Sequence, residues 1–200
     1  MNSYDTPYRG LPSGRWEQKT RALVRAHPLD MDEIVKVVLK VWTDILTLSI
    51  GSKPFKIGSD LFPAPQVMSF FLHELIPLEL ARRYPRIWRG DKSSNEKDLV
   101  YVPDQSLSVE IKASSHPVQI FGNRSYSQKS AKTKKSKSGY YLAINFEKFS
   151  FPNLYPKITK IRFGWLDHED WTGQKAPTGQ QARLSPDVER YKLVQLYPTK

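Results

Sequence analysis

The sequence predicts an α/β domain with a mixed central β-sheet flanked by helices. Two segments with apolar residues at helical spacing, 30–46 and 66–84, come first. Short β-rich runs bounded by Pro, Ser and Asn follow, as expected of central strands in a mixed sheet. A chain of 200 residues fits one domain with a full hydrophobic core, and neither an internal repeat nor a second domain is visible. One domain is therefore expected over residues 1–200, with residues 1–28 as an N-terminal arm.

Composition narrows the function. The chain has no cysteine, which removes disulfides and zinc–thiolate sites and suits a reducing cytoplasm. Its N-terminal stretch MNSYDTPYRGLPSGRW is polar and lacks a signal-peptide apolar region. No uncharged apolar run approaches the roughly 20 residues of a membrane helix, so no membrane partner is expected. The net charge of +11 asks for an anionic partner, nucleic acid before others. A merely basic soluble protein is the plainer alternative, and charge alone does not decide between them.

In chain order, the arm is rich in Pro, Gly and Arg, with a short helix expected at Trp16–Arg25. Asp30 then reads as an N-cap, with Glu33 three residues later as in a capping box. Ile34, Val35, Val38, Val41, Trp42, Ile45 and Leu46 give that helix an apolar face for the core or a dimer contact. Residues 51–65 break the pattern with Pro and Gly. Helical spacing returns at Gln66–Tyr84, where Val67, Phe70, Phe71, Leu75 and Leu78 share one side with Glu74, and Pro77 predicts a kink. His73 reads as a surface histidine. Arg82, Arg83, Arg86 and Arg89, interleaved with Tyr84 and Trp88, read as phosphate contacts or as an ordinary basic loop.

The stretch Glu96–Ser115 reads as a β-hairpin. Leu99–Val102 is β-rich, Pro103-Asp104-Gln105-Ser106 supplies turn chemistry, and Leu107, Val109 and Ile111 alternate with Ser108, Glu110 and Lys112. Folding about that turn brings Asp98 beside Glu110–Ile111, within about 5 Å at Cβ. Glu110 and Lys112 share one face. Two carboxylates can hold Mg2+, and a neighbouring lysine can orient a water or offset charge on a phosphate. This set suits metal-assisted phosphodiester hydrolysis; an amphipathic hairpin with solvent-facing charges is the plainer reading.

Beyond the hairpin, Asn123, Arg124 and Gln128 are side-chain types that read base edges, while Ser125 and Tyr126 are types that hold phosphates. Lys129, Lys134 and Lys135 belong to a lysine run that attracts the DNA backbone or is simply solvated. Part of this stretch is expected to form a helix crossing to a parallel strand at Gly139–Glu147. A further strand is expected at Ile158–Leu166, and a last helix at Ser185–Leu196 capped by Ser185. Asp167-His168-Glu169-Asp170 reads as an acidic patch at a helix start rather than a metal site.

Asp98 followed, after eleven intervening residues, by Glu110-Ile111-Lys112 resembles the catalytic motif of the PD-(D/E)XK nuclease superfamily. The departure is Lys97 in place of the motif's proline; the literal Pro103-Asp104 lies in the turn, too near Glu110 to fold back onto it. A wider stretch, from Ile57-Gly58-Ser59-Asp60 through Phe121–Tyr126 to Ser138–Leu142, is similar to type II restriction endonucleases of the ScaI kind. The resemblance implies a restriction-endonuclease-like fold. It also implies a Mg2+-dependent homodimer that cuts both strands of double-stranded DNA at a specific, palindromic site, in a bacterial or archaeal cytoplasm. The implied catalytic residues are Asp98, Glu110, Lys112 and Glu74, with Asp98, Glu110, Ile111 and Glu74 as metal positions and Glu79 as the alternate to Glu74. The alternatives are a repair or junction-resolving nuclease of the same fold, and a nucleic-acid-binding module without catalysis.

Overall fold

In a computed structural model, the structure describes residues 6–128, 135–176 and 178–199. The elements in chain order are α1 (Trp16–Ala26), α2 (Met31–Leu46), β1 (Ser49–Ile50), β2 (Phe55–Lys56), α3 (Pro65–Arg83), β3 (Trp88–Gly90), β4 (Leu99–Tyr101), β5 (Val109–Ser114), β6 (Phe121–Asn123), β7 (Gly139–Phe146), β8 (Ile158–Leu166), β9 (Trp171–Gly173), β10 (Gln181–Leu184), α4 (Pro186–Tyr191) and β11 (Leu193–Tyr197). Asp30 caps α2 as the sequence predicts, its Oδ1 accepting from the Glu33 N–H at 2.8 Å. Among the described residues, no helix is long and apolar enough to cross a membrane.

The central sheet is mixed, with strand order β11-β8-β7-β5-β4-β3. In this sheet, among the described residues, β5 and β7 pair in parallel and the other neighbours are antiparallel. Val109, Ile111, Leu142, Ile144 and Phe163 face a core shared with Ile34, Val38, Trp42, Leu72 and Ile76 of α2 and α3. The opposite face carries Tyr141 and Ala143. It packs against a second, antiparallel sheet, β6-β10-β9, and α4, through Tyr126, Trp171, Leu184 and Val188. The β4–β5 hairpin adopts the register its turn predicts, with Leu99 opposite Val109. Asp104 Oδ1 accepts from the Ser106 N–H at 2.9 Å, and Ser108 Oγ accepts from the Tyr101 N–H at 3.1 Å, so the turn is fastened at its tip and at its base.

The described part of the N-terminal arm carries the helix expected there, as α1, and is packed: Tyr8 is buried, and Thr20 donates its hydroxyl to the Tyr191 carbonyl at 2.8 Å. Several expectations are corrected. Leu107 lies in a 3-10 turn, so β5 begins only at Val109. In α3 the buried stripe is Met68, Leu72, Ile76 and Leu80, whereas Val67, Phe70 and Leu78 are exposed. This helix has apolar residues on nearly every side, so periodicity alone does not choose its inner face. The described part of the crossing from β5 to β7 holds β6 and a 3-10 turn at Arg124–Ser127 in place of a helix, because β6 pairs with β10. The last helix stops at Tyr191, and Leu193–Tyr197 pairs with the edge of β8 instead, where sheet pairing outweighs helix propensity. Asp170 of the acidic patch pairs with Lys192 at 2.6 Å.

The arginines before the hairpin are largely spoken for by acids. Arg82 and Arg83 bind Glu79 at 2.8 and 2.7 Å, and Arg83 also binds Glu33 at 2.6 Å. Arg89 donates to Glu96 at 2.9 Å, and the Lys92 N–H donates to the same carboxylate at 2.7 Å. This pair pins the chain just before Asp98. The Arg89 hydrogen bond, aided by the Lys92 N–H and against the effect of burial, lowers Glu96 from 4.5 to about 2. A carboxylate whose pKa is depressed by folding stabilises fully above its unfolded value and loses that contribution as pH falls toward the folded value. Stability should therefore drop as pH falls from 4.5 toward about 2, a window set by the Glu96 shift. Glu96→Gln should remove about 1 kcal/mol of that drop, a modest share because the pair is partly solvated. Urea midpoints of both proteins at about pH 5 and about pH 3 measure it, and equal drops would refute it.

Candidate active site

The alternation of β5 sends Val109 and Ile111 into the helix-side core, both 0 % exposed, and turns Glu110 and Lys112 to the other face. Asp98 stands one residue before β4, and its Oδ2 accepts from the Ile111 N–H at 2.7 Å. That bond holds the first acid against the strand that carries the second. The Glu110 carboxylate is 1 % exposed and surrounded by donors. Lys112 Nζ reaches Oε1 at 2.8 Å and the Ile111 carbonyl at 3.2 Å. The Tyr126 hydroxyl also donates to Oε1. Lys135 Nζ lies 2.7 Å from Glu110 Oε2 and 3.1 Å from Asp98 Oδ1, and Lys97 Nζ stands 3.9 Å from Oε2.

A buried carboxylate is costly unless cations and hydrogen bonds surround it. Burial pushes the pKa of Glu110 up, and Asp98 adds to that; Lys112, Lys97 and Lys135 outweigh both and hold it well below the usual range. Asp98 behaves alike: burial raises it, while His73, Lys112 and Lys135 bring it below the usual range. Both acids are therefore ionised near neutrality. Burial first, and Glu110 second, push the Tyr126 phenol up, so it stays protonated and remains a donor.

The structure brings Asp98, Glu110, Ile111 and Lys112 together. Glu74 is not brought to them and lies exposed on α3; the residue α3 brings to the acids is His73, whose Nδ1 lies 3.4 Å from Asp98 Oδ2. The buried stripe of α3 decides this, since successive side chains are about 100° apart around a helix. Tyr126, expected at DNA, is buried beneath Glu110 because β6 and the 3-10 turn fold it under β5. Lys135, expected on phosphates, is engaged by both acids. The Arg124 guanidinium reaches the Ala176 carbonyl at 3.3 Å. Asn123, Ser125 and Gln128 are exposed. Lys129 and Lys134 lie outside the described residues.

Two features of the site were missed in the sequence, Lys97 and His73. Lys97 occupies the place of the motif's proline, and only its proximity to Asp98 could have flagged it. His73 carried no signal beyond its neighbour Glu74. Among the described residues, no three His, Cys, Asp or Glu side chains meet to hold a metal. The arrangement nevertheless suits a hard cation. Asp98 Oδ1 and Glu110 Oε2 converge on one positive group, and the Ile111 carbonyl faces the same cluster, an all-oxygen donor set.

Comparison with known proteins places relatives beside this geometry. The family model described as ScaI restriction endonuclease matches residues 6–197. The type II restriction enzyme ScaI of Streptomyces caespitosus is 50 % identical over 195 residues, which covers 96 % of this chain and 85 % of that enzyme.

Lys97 is the strained member of the cluster. Its Nζ is buried without a hydrogen-bond acceptor, and burial, together with Lys135 and Lys112 and against the pull of Glu110, lowers it to about 8. Lys97→Met keeps the volume and removes the charge while Lys112 and Lys135 still serve Glu110. It should raise stability to urea by about 1–2 kcal/mol at neutral pH, as replacing buried ions often does. A loss of stability would show that Glu110 depends on Lys97.

Proposed function

The chain belongs to the ScaI restriction endonuclease family, and we propose that it cuts DNA with Asp98, Glu110 and Lys112 around a Mg2+ ion. It is a site-specific type II restriction endonuclease, and its substrate is DNA. The family match favours this over a repair or junction-resolving nuclease and over a binding module without catalysis. The observation that carries the catalytic assignment is the convergence of Asp98 Oδ1 and Glu110 Oε2 on one cation beside Lys112.

Asp98, Glu110 and the Ile111 carbonyl would hold the metal, leaving its other positions to water and a phosphate oxygen. Bound there, it would polarise the scissile phosphate and acidify a water. Lys112, anchored on Glu110 and the Ile111 carbonyl, orients the attacking water and offsets charge on the phosphate. His73 and Tyr126 are positioning residues: one braces Asp98, the other fixes Glu110.

Asn123, Ser125 and Gln128 are proposed to face the DNA, since they are exposed on the segment that carries Tyr126 to Glu110. Arg124 is proposed to shape that segment through the loop around Ala176. Lys129 and Lys134 would add backbone attraction. The enzyme acts where the DNA is, in the cytoplasm. A palindromic site matches a homodimer by twofold symmetry. The exposed stripe of α3, with Val67 at 43 %, Phe70 at 57 % and Leu78 at 60 %, is the apolar face offered to a second copy.

Glu110→Ala and Lys112→Ala should each abolish plasmid cleavage in Mg2+ while leaving binding in Ca2+ largely in place. Ca2+ takes the same oxygen ligands but activates water less well. Digestion and gel shift read this, and near-normal turnover by either variant would sink the assignment. Phe70→Asp should turn a dimer into a monomer in size-exclusion chromatography with light scattering. A wild-type monomer, or a variant that stays dimeric, would remove α3 as the contact.

A further inference from the structure

The position between the two acids is held by a lysine. Lys135 Nζ lies 3.1 Å from Asp98 Oδ1 and 2.7 Å from Glu110 Oε2, with the side chain 14 % exposed. The other Glu110 oxygen is already shared by Lys112 and Tyr126, so Oε2 is the one left open to a cation. The ammonium of Lys135 thus meets one oxygen of each acid at the point where the two converge. A divalent ion bound by the same two oxygens would sit about 2.0–2.6 Å from each. An ammonium still in contact with those oxygens would crowd and repel it.

We propose that Lys135 is a resident cation that fills the metal position of the DNA-free enzyme and must leave it before a divalent ion binds there. The inference rests on the metal site proposed above. Its consequence is coupling. An ammonium released from the carboxylates needs another anion, and the nearest one brought by the substrate is a DNA phosphate. DNA and metal then favour each other, because each is easier to bind once Lys135 has moved, and linkage makes the effect reciprocal. The free enzyme is thus kept poor in bound metal, and the site becomes complete on DNA.

Calorimetric titration of the DNA-free enzyme with Ca2+ alone tests this. Lys135→Ala should bind Ca2+ about tenfold more tightly than wild type, a typical coupling size. Lys135→Arg should stay as weak as wild type, because it restores the resident charge. Lys137→Ala removes the same charge from a lysine that stacks on the Tyr126 ring at 4.4 Å, and its Ca2+ affinity should stay close to wild type. Equal tightening by Lys135→Ala and Lys137→Ala would reduce the effect to general electrostatics and overturn the proposal, as would no tightening by Lys135→Ala. Melting curves of each variant guard against misfolding, with Lys135→Met as a second uncharged variant. Adding Glu110→Ala separates the two levels of inference. Loss of the Ca2+ signal with this change supports the metal site whichever way Lys135 behaves, whereas tight binding that survives it means the ion sits elsewhere and the metal-site reading itself fails.

Discussion

The buried charge of Glu110 is the constraint around which this structure is arranged. A carboxylate that is 1 % exposed would be expelled or neutralised if left alone, and here it is neither. Lys97, Lys112 and Lys135 come from three separate stretches, and Tyr126 from a fourth, to keep it ionised. Among the described residues, and with Asp98 included, three ammonium groups pair with two carboxylates, a surplus of positive charge suited to a polyanion.

The fold supplies the walls for that arrangement. The parallel pairing of β5 with β7 brings Tyr141 under the site, where its ring lies 4.9 Å from the Lys97 ammonium. The second sheet supplies Tyr126, whose ring rests on Trp171 at 5.4 Å. Gly122 of β6 allows this approach, because a Cβ there would stand 3.0 Å from the Tyr126 ring. The small sheet is therefore part of the scaffold of the Glu110 cluster: without β6 and β9, the hydroxyl that fixes Glu110 would have no backing.

Much of this was legible in the sequence because it is local. The turn at Pro103–Ser106 sets the register of Asp98 against Glu110, and strict alternation sorts Glu110 and Lys112 from Val109 and Ile111. The strands Gly139–Phe146 and Ile158–Leu166 were equally plain, being rich in β-branched and aromatic residues and sharply bounded. What escaped depends on distant partners. Tyr126 sits in a polar, lysine-flanked stretch, and nothing there reveals a partner sixteen residues earlier. Lys135 is one of several similar lysines, and only tertiary structure selects which one meets the acids. His73 was hidden because α3 is apolar on most of its circumference, so the inner face had to be chosen by packing rather than by pattern.

The fastened turn between β4 and β5 has a further meaning for how this chain tolerates change. At its tip the fastening is local, Asp104 to the Ser106 N–H, so substitution there is a small matter beside the core contact of Leu107. Its length is another thing. If an inserted or deleted residue were absorbed by sliding β5 one step, every side chain would change faces, and Glu110 and Lys112 would enter the apolar layer beneath α2 and α3. The loop thus works as a ruler. Drift in composition costs little at its tip, whereas a single codon gained or lost can exchange the charged surface of the strand for its apolar one.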